Sequence, residues 1–142
     1  MTSQTELAAT LREYLTGRHI KTVNQDGTKL TLDDGHVLTL YMSDQDCCAS
    51  AHGAWVLKPD ALDAVITDVN VVFDEARSGD DGDGTTNYVT ITILHNQNPV
   101  ALADCSANDG NGGYYFSVLS LQISHVIDAR NDKQVDMTVV RA

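Results

Sequence analysis

Apolar and polar positions alternate along this chain with two different periods. Over residues 3–16 the apolar side chains Leu7, Leu11, Tyr14 and Leu15 recur at helical spacing and form one stripe. Ser3 with Glu6 fits a capping box, and Gly17 is a natural stop, so the pattern predicts an amphipathic helix here. From Arg18 the period falls to two. Ile20 and Val23 lead into the turn at Asp26-Gly27, Leu30 and Leu32 alternate with threonine, and Asp33-Asp34-Gly35 turns again before a strand over 37–42. Asp-Gly turns between short β-branched runs are the signature of a meander. Asp60 to Val65, following Pro59, reads as a short helical turn.

Ile66 to Phe73 reads as a strand with Val69, Val71 and Phe73 on one face. Tyr88 to Leu94 alternates Val89, Ile91 and Ile93 against threonines. Between them lies the polar loop Gly79 to Gly84, so the pair reads as a hairpin with a long tip. Val100 to Cys105 is a further strand. After the turn cluster 108–113, Tyr114 to Ile123 is the longest apolar stretch, and its early part is apolar on both faces, which suits a central strand. Val135 to Val140 reads as an edge strand, poorly protected because it carries a single charge.

These elements predict an α+β fold: a helix over 1–17, then one mainly antiparallel β-rich domain over 18–142, with seven or eight short strands in a sheet free to curl into a barrel-like form. The helix stripe is expected to cover the domain's own sheet. The alternative is an exposed docking helix, with Leu7 and Leu11 as protein-contact candidates.

Composition narrows the function classes. At 142 residues with 42% hydrophobic content, the chain can bury a core of its own. Nine basic residues against twenty acidic ones give a net charge of −11, a field that repels phosphate backbones, so nucleic-acid binding is disfavoured. A solvated surface is the plain reading of that charge; an acidic decoy for a basic protein is the other. No apolar run approaches the roughly eighteen residues of a membrane span, and no signal peptide is visible at the N-terminus.

Side chains able to bind metal or act as nucleophiles crowd into one stretch, Asp44 to Trp55, which separates two β-rich halves. It holds Asp46, Cys47, Cys48 and His52, with Cys105 a candidate fourth partner from a distant strand. Zinc takes thiolate and imidazole ligands, but adjacent cysteines seldom both ligate one ion. Vicinal cysteines cannot easily bridge each other either, and the expected state is three reduced, buried thiols acting as small apolar groups. A Cys48-His125-Asp104 hydrolase can be drawn, though nothing in the spacing demands it. Asp80, Asp81 and Asp83, flanked by Asp74 and Glu75, offer hard oxygen ligands for calcium, yet they fail the EF-hand register. A solvated loop tip is the simpler reading. Gly110, Gly112 and Gly113 read as turn residues with positive φ. Beside them, Tyr114 and Tyr115 with Trp55 form a candidate contact patch, with core packing or a strand-end cap the plainer reading.

Two places carry a family likeness. The run from Asp26 to Gly35, followed by Asp46-Cys47-Cys48-Ala49 and a segment like Ile66 to Val69, resembles the opening of a family of small tailed-phage proteins of unknown function, common in phages of actinobacteria. Asn111 to Tyr115 resembles its second signature, an Asn-Gly-Tyr-Tyr turn, here interrupted by an extra glycine. The likeness covers roughly residues 20–125. It implies a bacteriophage origin and work in the cytoplasm of the infected host, and brings no catalytic residues with it. The expectation is therefore a non-enzymatic accessory protein that binds a protein partner or itself, as a homodimer held by the helix or by the edge at Val135 to Val140. The alternative is a small metal- or thiol-dependent enzyme centred on Asp46, Cys47, Cys48 and His52.

Overall fold

Helix α1 forms where the apolar stripe places it, over Gln4–Leu15 of the computed structural model. The structure describes residues 3–59, 61–80, 82, 84–110, 115–126 and 132–142. The Ser3 hydroxyl accepts the Glu6 amide at 3.1 Å, satisfying one orphan donor of the first turn. Gly17 lies in the left-handed region, at φ +85°, and turns the chain out of the helix. Leu7, Leu11 and Leu15 are fully buried, and the helix packs chiefly on the strand at 68–73.

Ten strands follow among the described residues: β1 Ile20–Val23, β2 Lys29–Leu32, β3 Val37–Gln45, β4 Ala51–Leu57, β5 Asp68–Phe73, β6 Gly79–Asp80, β7 Thr85–His95, β8 Asn98–Asn108, β9 Ser117–Val126 and β10 Asp132–Arg141. A 3-10 turn at Ala61–Asp63 stands where the helical turn was expected. The strands divide into two five-stranded antiparallel sheets. The first runs β1-β2-β3-β9-β10; the second runs β4-β8-β7-β5, with β6 on β7. The fold is thus mainly β with a single helix. The expectation of one sheet with seven or eight strands is corrected to two, and neither closes into a barrel. The reason is the pairing of β3 with β9, which joins the two ends of the chain in one sheet and leaves the middle to build the other.

The inner faces meet in one core. Leu30, Leu32, Leu38, Leu40, Leu119, Leu121 and Ile123 come from the first sheet, and Trp55, Val69, Val89, Ile91 and Ile93 from the second. On β8 the inward positions are small: Ala101, Ala103, Cys105 and Ala107. They leave room for Trp55 and Ile91, which flank Ala103 on the neighbouring strands.

As expected, β9 is central and β10 lies at an edge. A register shift between Thr138 and Val140 leaves Val139 and Val140 both buried, a bulge that makes the edge a poorer template for a stray strand. The β4 edge is met by the first hairpin: the Gly27 carbonyl accepts the Trp55 amide at 2.6 Å.

Periodicity missed the two-residue β6, which opens the stretch read as a polar loop, and it missed the longer β4. Its run Ala51 to Leu57 has only one β-branched residue and a glycine in its middle. The glycine has a packing cause: a Cβ at Gly53 would stand 2.9 Å from both Cys105 Sγ and Leu119 Cδ2.

Candidate functional site

The turn between β3 and β4 carries the chain from one sheet to the other. The Asp46 amide donates to the Phe116 carbonyl (2.8 Å) and the Ala49 amide to the Asp46 carbonyl (3.2 Å). Ala49 is buried and pins the turn, while Cys47 and Cys48 are exposed. Their sulfurs lie 2.8 Å apart. The hydrogen bond that the Cys47 thiol makes to Cys48, helped by the charges of Cys48 and Asp46, holds the Cys47 thiol above its ordinary pKa. The expectation of three buried thiols therefore holds for Cys105 alone. Burial, with the Asp104 charge behind it, pushes that thiol up to about 12.

The zinc set does not assemble. Cys105 faces the core, Cys47 and Cys48 face solvent, and His52 lies exposed along β4. Among the described residues, no group of three or more His, Cys, Asp or Glu side chains is placed to hold a metal ion. Of the acidic loop, Asp80 accepts the Gly82 amide at 2.8 Å, and Asp74 is held by Arg77 at 2.6 Å. Asp81 and Asp83 lie outside the described residues. The Cys48-His125-Asp104 triad is also not brought together. His125 stacks on His36, Asp104 is gripped by Arg77, and each cysteine sulfur has the other as its partner.

The contact candidates fare unevenly. Leu7 and Leu11 are buried in the chain's own core and are not available to a partner, a correction that follows from the helix lying on β5. Trp55 is 2% exposed, so it too leaves the candidate patch. Its indole N–H is the one buried side-chain nitrogen or oxygen without a hydrogen-bond partner among the described residues. Tyr115 is half-buried, with its ring against Gly110, whose φ of +75° matches the turn role expected of it. Tyr114, Gly112 and Gly113 lie outside the described residues.

A cluster that sequence reading missed sits where α1, the β2–β3 turn and β9 meet. The His36 ring lies 5.3 Å from Tyr14 and 4.1 Å from His125, centroid to centroid. Asp34 organises it, accepting the His36 amide at 3.0 Å and pairing with the His36 Nδ1 at 2.7 Å, while the Arg18 Nε forms an ion pair with it at 3.2 Å. No local signal marks these residues, because they come from sequence positions far apart.

Partial burial acts to raise the Asp34 carboxyl, but the hydrogen bonds from the His36 amide and ring, with the charges of His36 and Arg18, outweigh it and hold the pKa below the usual carboxylate value. A depressed carboxyl stabilises the fold above its unfolded pKa, about 3.9, and that contribution is lost as pH falls through the folded value. Asp34→Asn should therefore cost about 1–2 kcal/mol at neutral pH. The gap between variant and parent urea midpoints should close below about pH 4. A gap of constant size down to the lowest pH would show that the carboxylate charge is not what holds the cluster.

The outer face of the second sheet carries two exposed valines. Register places Val56, Leu102, Thr92 and Asn70 in one row and Ala54, Asp104, Thr90 and Val72 in the next. Val56 is 55% and Val72 58% exposed. Asp104 is the only carboxylate in the two rows, and the Arg77 guanidinium holds it with two bonds of 2.8 and 3.1 Å while lying 4.4 Å over the Tyr88 ring. The face is therefore close to neutral on a strongly acidic chain.

Residues 13–121 match the model of a family described as a domain of unknown function (DUF7448). The match begins inside α1 and ends inside β9. No curated protein and no solved structure matches the chain.

Proposed function

The chain belongs to the DUF7448 family, a domain of unknown function, and from that footing we propose that it is a non-enzymatic phage accessory protein that acts by binding protein, in the first place a second copy of itself. The phage origin rests on the motif likeness at Asp46 to Ala49 and around Tyr115, and with it the cytoplasm of the infected host as the place of work. Among the described residues no helix is long and apolar enough to cross a membrane.

The observation that carries the reading is the near-neutral outer face of the second sheet. Two copies at −11 repel over most of their surfaces. They approach at least cost where charge is sparsest, which is the Val56–Leu102 and Ala54–Val72 rows, whose one carboxylate is paired with Arg77. Self-association through this face should therefore strengthen with added salt, because screening removes the long-range repulsion and leaves the apolar contact untouched. An enzyme centred on Asp46, Cys47, Cys48 and His52 has less support, since a nucleophilic thiol needs a base beside it and neither sulfur hydrogen-bonds a histidine.

Sedimentation tests the proposal. The expected result is a dimer at micromolar concentration. It should weaken at least about tenfold in Val56→Glu or Val72→Glu, because an unpaired buried carboxylate costs more than the ~1.4 kcal/mol that tenfold represents. Both positions are exposed, so melting of the variants should stay close to that of the parent. A monomer at every concentration and salt would overturn the self-binding reading.

A further inference from the structure

We propose that Cys47 and Cys48 form a vicinal thiol–disulfide site that exchanges electrons with small-molecule disulfides, closing to an intramolecular disulfide and reopening. This inference is independent of self-association and rests on a different part of the molecule.

The geometry is specific to this pair. Both thiols are exposed, and their sulfurs stand 2.8 Å apart on a turn whose backbone is fixed from both sides. Behind them Ala49 is buried, the Ser50 amide donates to Asn108 Oδ1 at 3.1 Å, and the Ser117 hydroxyl donates to the Ser50 carbonyl at 2.9 Å. The Cys48 carbonyl lies against Gly110, where a Cβ would stand 3.0 Å from it. The thiols thus sit at the surface on a supported base, while Cys105 is sealed in the core and takes no part.

The chemistry balances with one named oxidant. The thiolate of either cysteine attacks a sulfur of a small disulfide, forming a mixed disulfide and expelling one small thiolate. The neighbouring cysteine, once deprotonated, attacks the protein sulfur of that mixed disulfide, forms the Cys47–Cys48 bond and expels the second small thiolate. Two protein thiols are oxidised by two electrons, one small disulfide is reduced to two thiols, and the protons lost by the cysteines end on the leaving thiolates. The second step is intramolecular between atoms already in contact, so the mixed disulfide should not accumulate.

Adjacency also sets the direction of poise. Neighbouring Cα atoms are about 3.8 Å apart, below the usual span of about 4.4–6.8 Å for bridged cysteines. The ring is therefore strained and readily reduced, which marks an exchangeable bond and not a structural one. The difficulty that sequence suggests for a vicinal bridge is one of strain and not of reach. Because the Cys47 thiol is held protonated beside Cys48 and Asp46, closure should quicken as pH rises. The exposed carboxylates of Asp44 and Asp46 disfavour anionic disulfides, so the test uses a neutral one.

The reduced full-length chain is incubated with 2-hydroxyethyl disulfide and followed by intact mass and thiol titration. The expected product has lost the mass of two hydrogens, carries no adduct, and has lost both fast-titrating thiols; dithiothreitol restores them. Cys105 should become titratable only after unfolding. In Cys47→Ser or Cys48→Ser the remaining exposed thiol should instead keep a stable mixed disulfide. Persistent adducts on the parent chain would overturn the proposal. So would a bridge to Cys105, or both thiols remaining free under conditions that fully convert the single-cysteine variants to the adduct.

Discussion

Leu11→Ala should destabilise the protein by about 2–5 kcal/mol, through the lost burial and the cavity left behind. Leu11 is fully buried in the core shared by α1 and both sheets, between Leu7 and Leu15 on the same stripe. A loss of that size is a large part of an ordinary domain's stability and corresponds to roughly 6–20 °C in melting temperature. Glu13→Ala, on the exposed side of the same helix, should change stability by no more than about 0.5 kcal/mol. Thermal melting by circular dichroism distinguishes the two. Equal melting of Leu11→Ala and the parent would mean that the helix does not seal the core. The same packing implies that deleting residues 1–16 unfolds the chain and so cannot serve as a test of a dimer contact.

Gly27→Ala should cost about 2–4 kcal/mol, although it adds one methyl group to a surface hairpin. Two effects combine. At φ +77° an alanine is strained, and its Cβ would stand 2.9 Å from Ala54 Cβ and 3.1 Å from the Trp55 carbonyl oxygen. Relief requires the hairpin to move off β4, which breaks the 2.6 Å bond from the Trp55 amide to the Gly27 carbonyl. Gly17→Ala separates the two effects. Its φ of +85° is just as unfavourable, but nothing lies within 4 Å of the added carbon, so only the conformational cost of about 1–2 kcal/mol remains. Denaturant midpoints for the two variants should differ in that order. Equal midpoints would show that the hairpin does not lean on β4.

Local physics made the helix and the hairpins legible. The stripe Leu7-Leu11-Leu15 with Ser3 and Gly17 specifies α1, because capping and period are properties of neighbouring residues. The turns at Asp26-Gly27 and Asp33 to Gly35 specify β1, β2 and β3 for the same reason. β9 lies between β3 and β10, as the apolar stretch leading into it suggested. β4 was not legible, since its small residues answer to Cys105 and Leu119 across the sandwich and not to their own neighbours.

By itself, then, the sequence determined the helix, most of the strands, the acid excess and the presence of a paired-cysteine turn. A period of two says which residues share a face of a strand, and it is silent on which strand lies alongside. The pairing of β3 with β9 is a contact between residues some eighty positions apart, and it alone decided that there are two open sheets and no barrel. That division placed Cys47 and Cys48 outside on the crossing turn and Cys105 inside, three residues of one type with opposite surroundings. It also brought His36 onto His125 and left the second sheet's outer face uncovered among the described residues. Burial and proximity are set by where the chain returns to itself, and for this protein that is where its chemistry was decided.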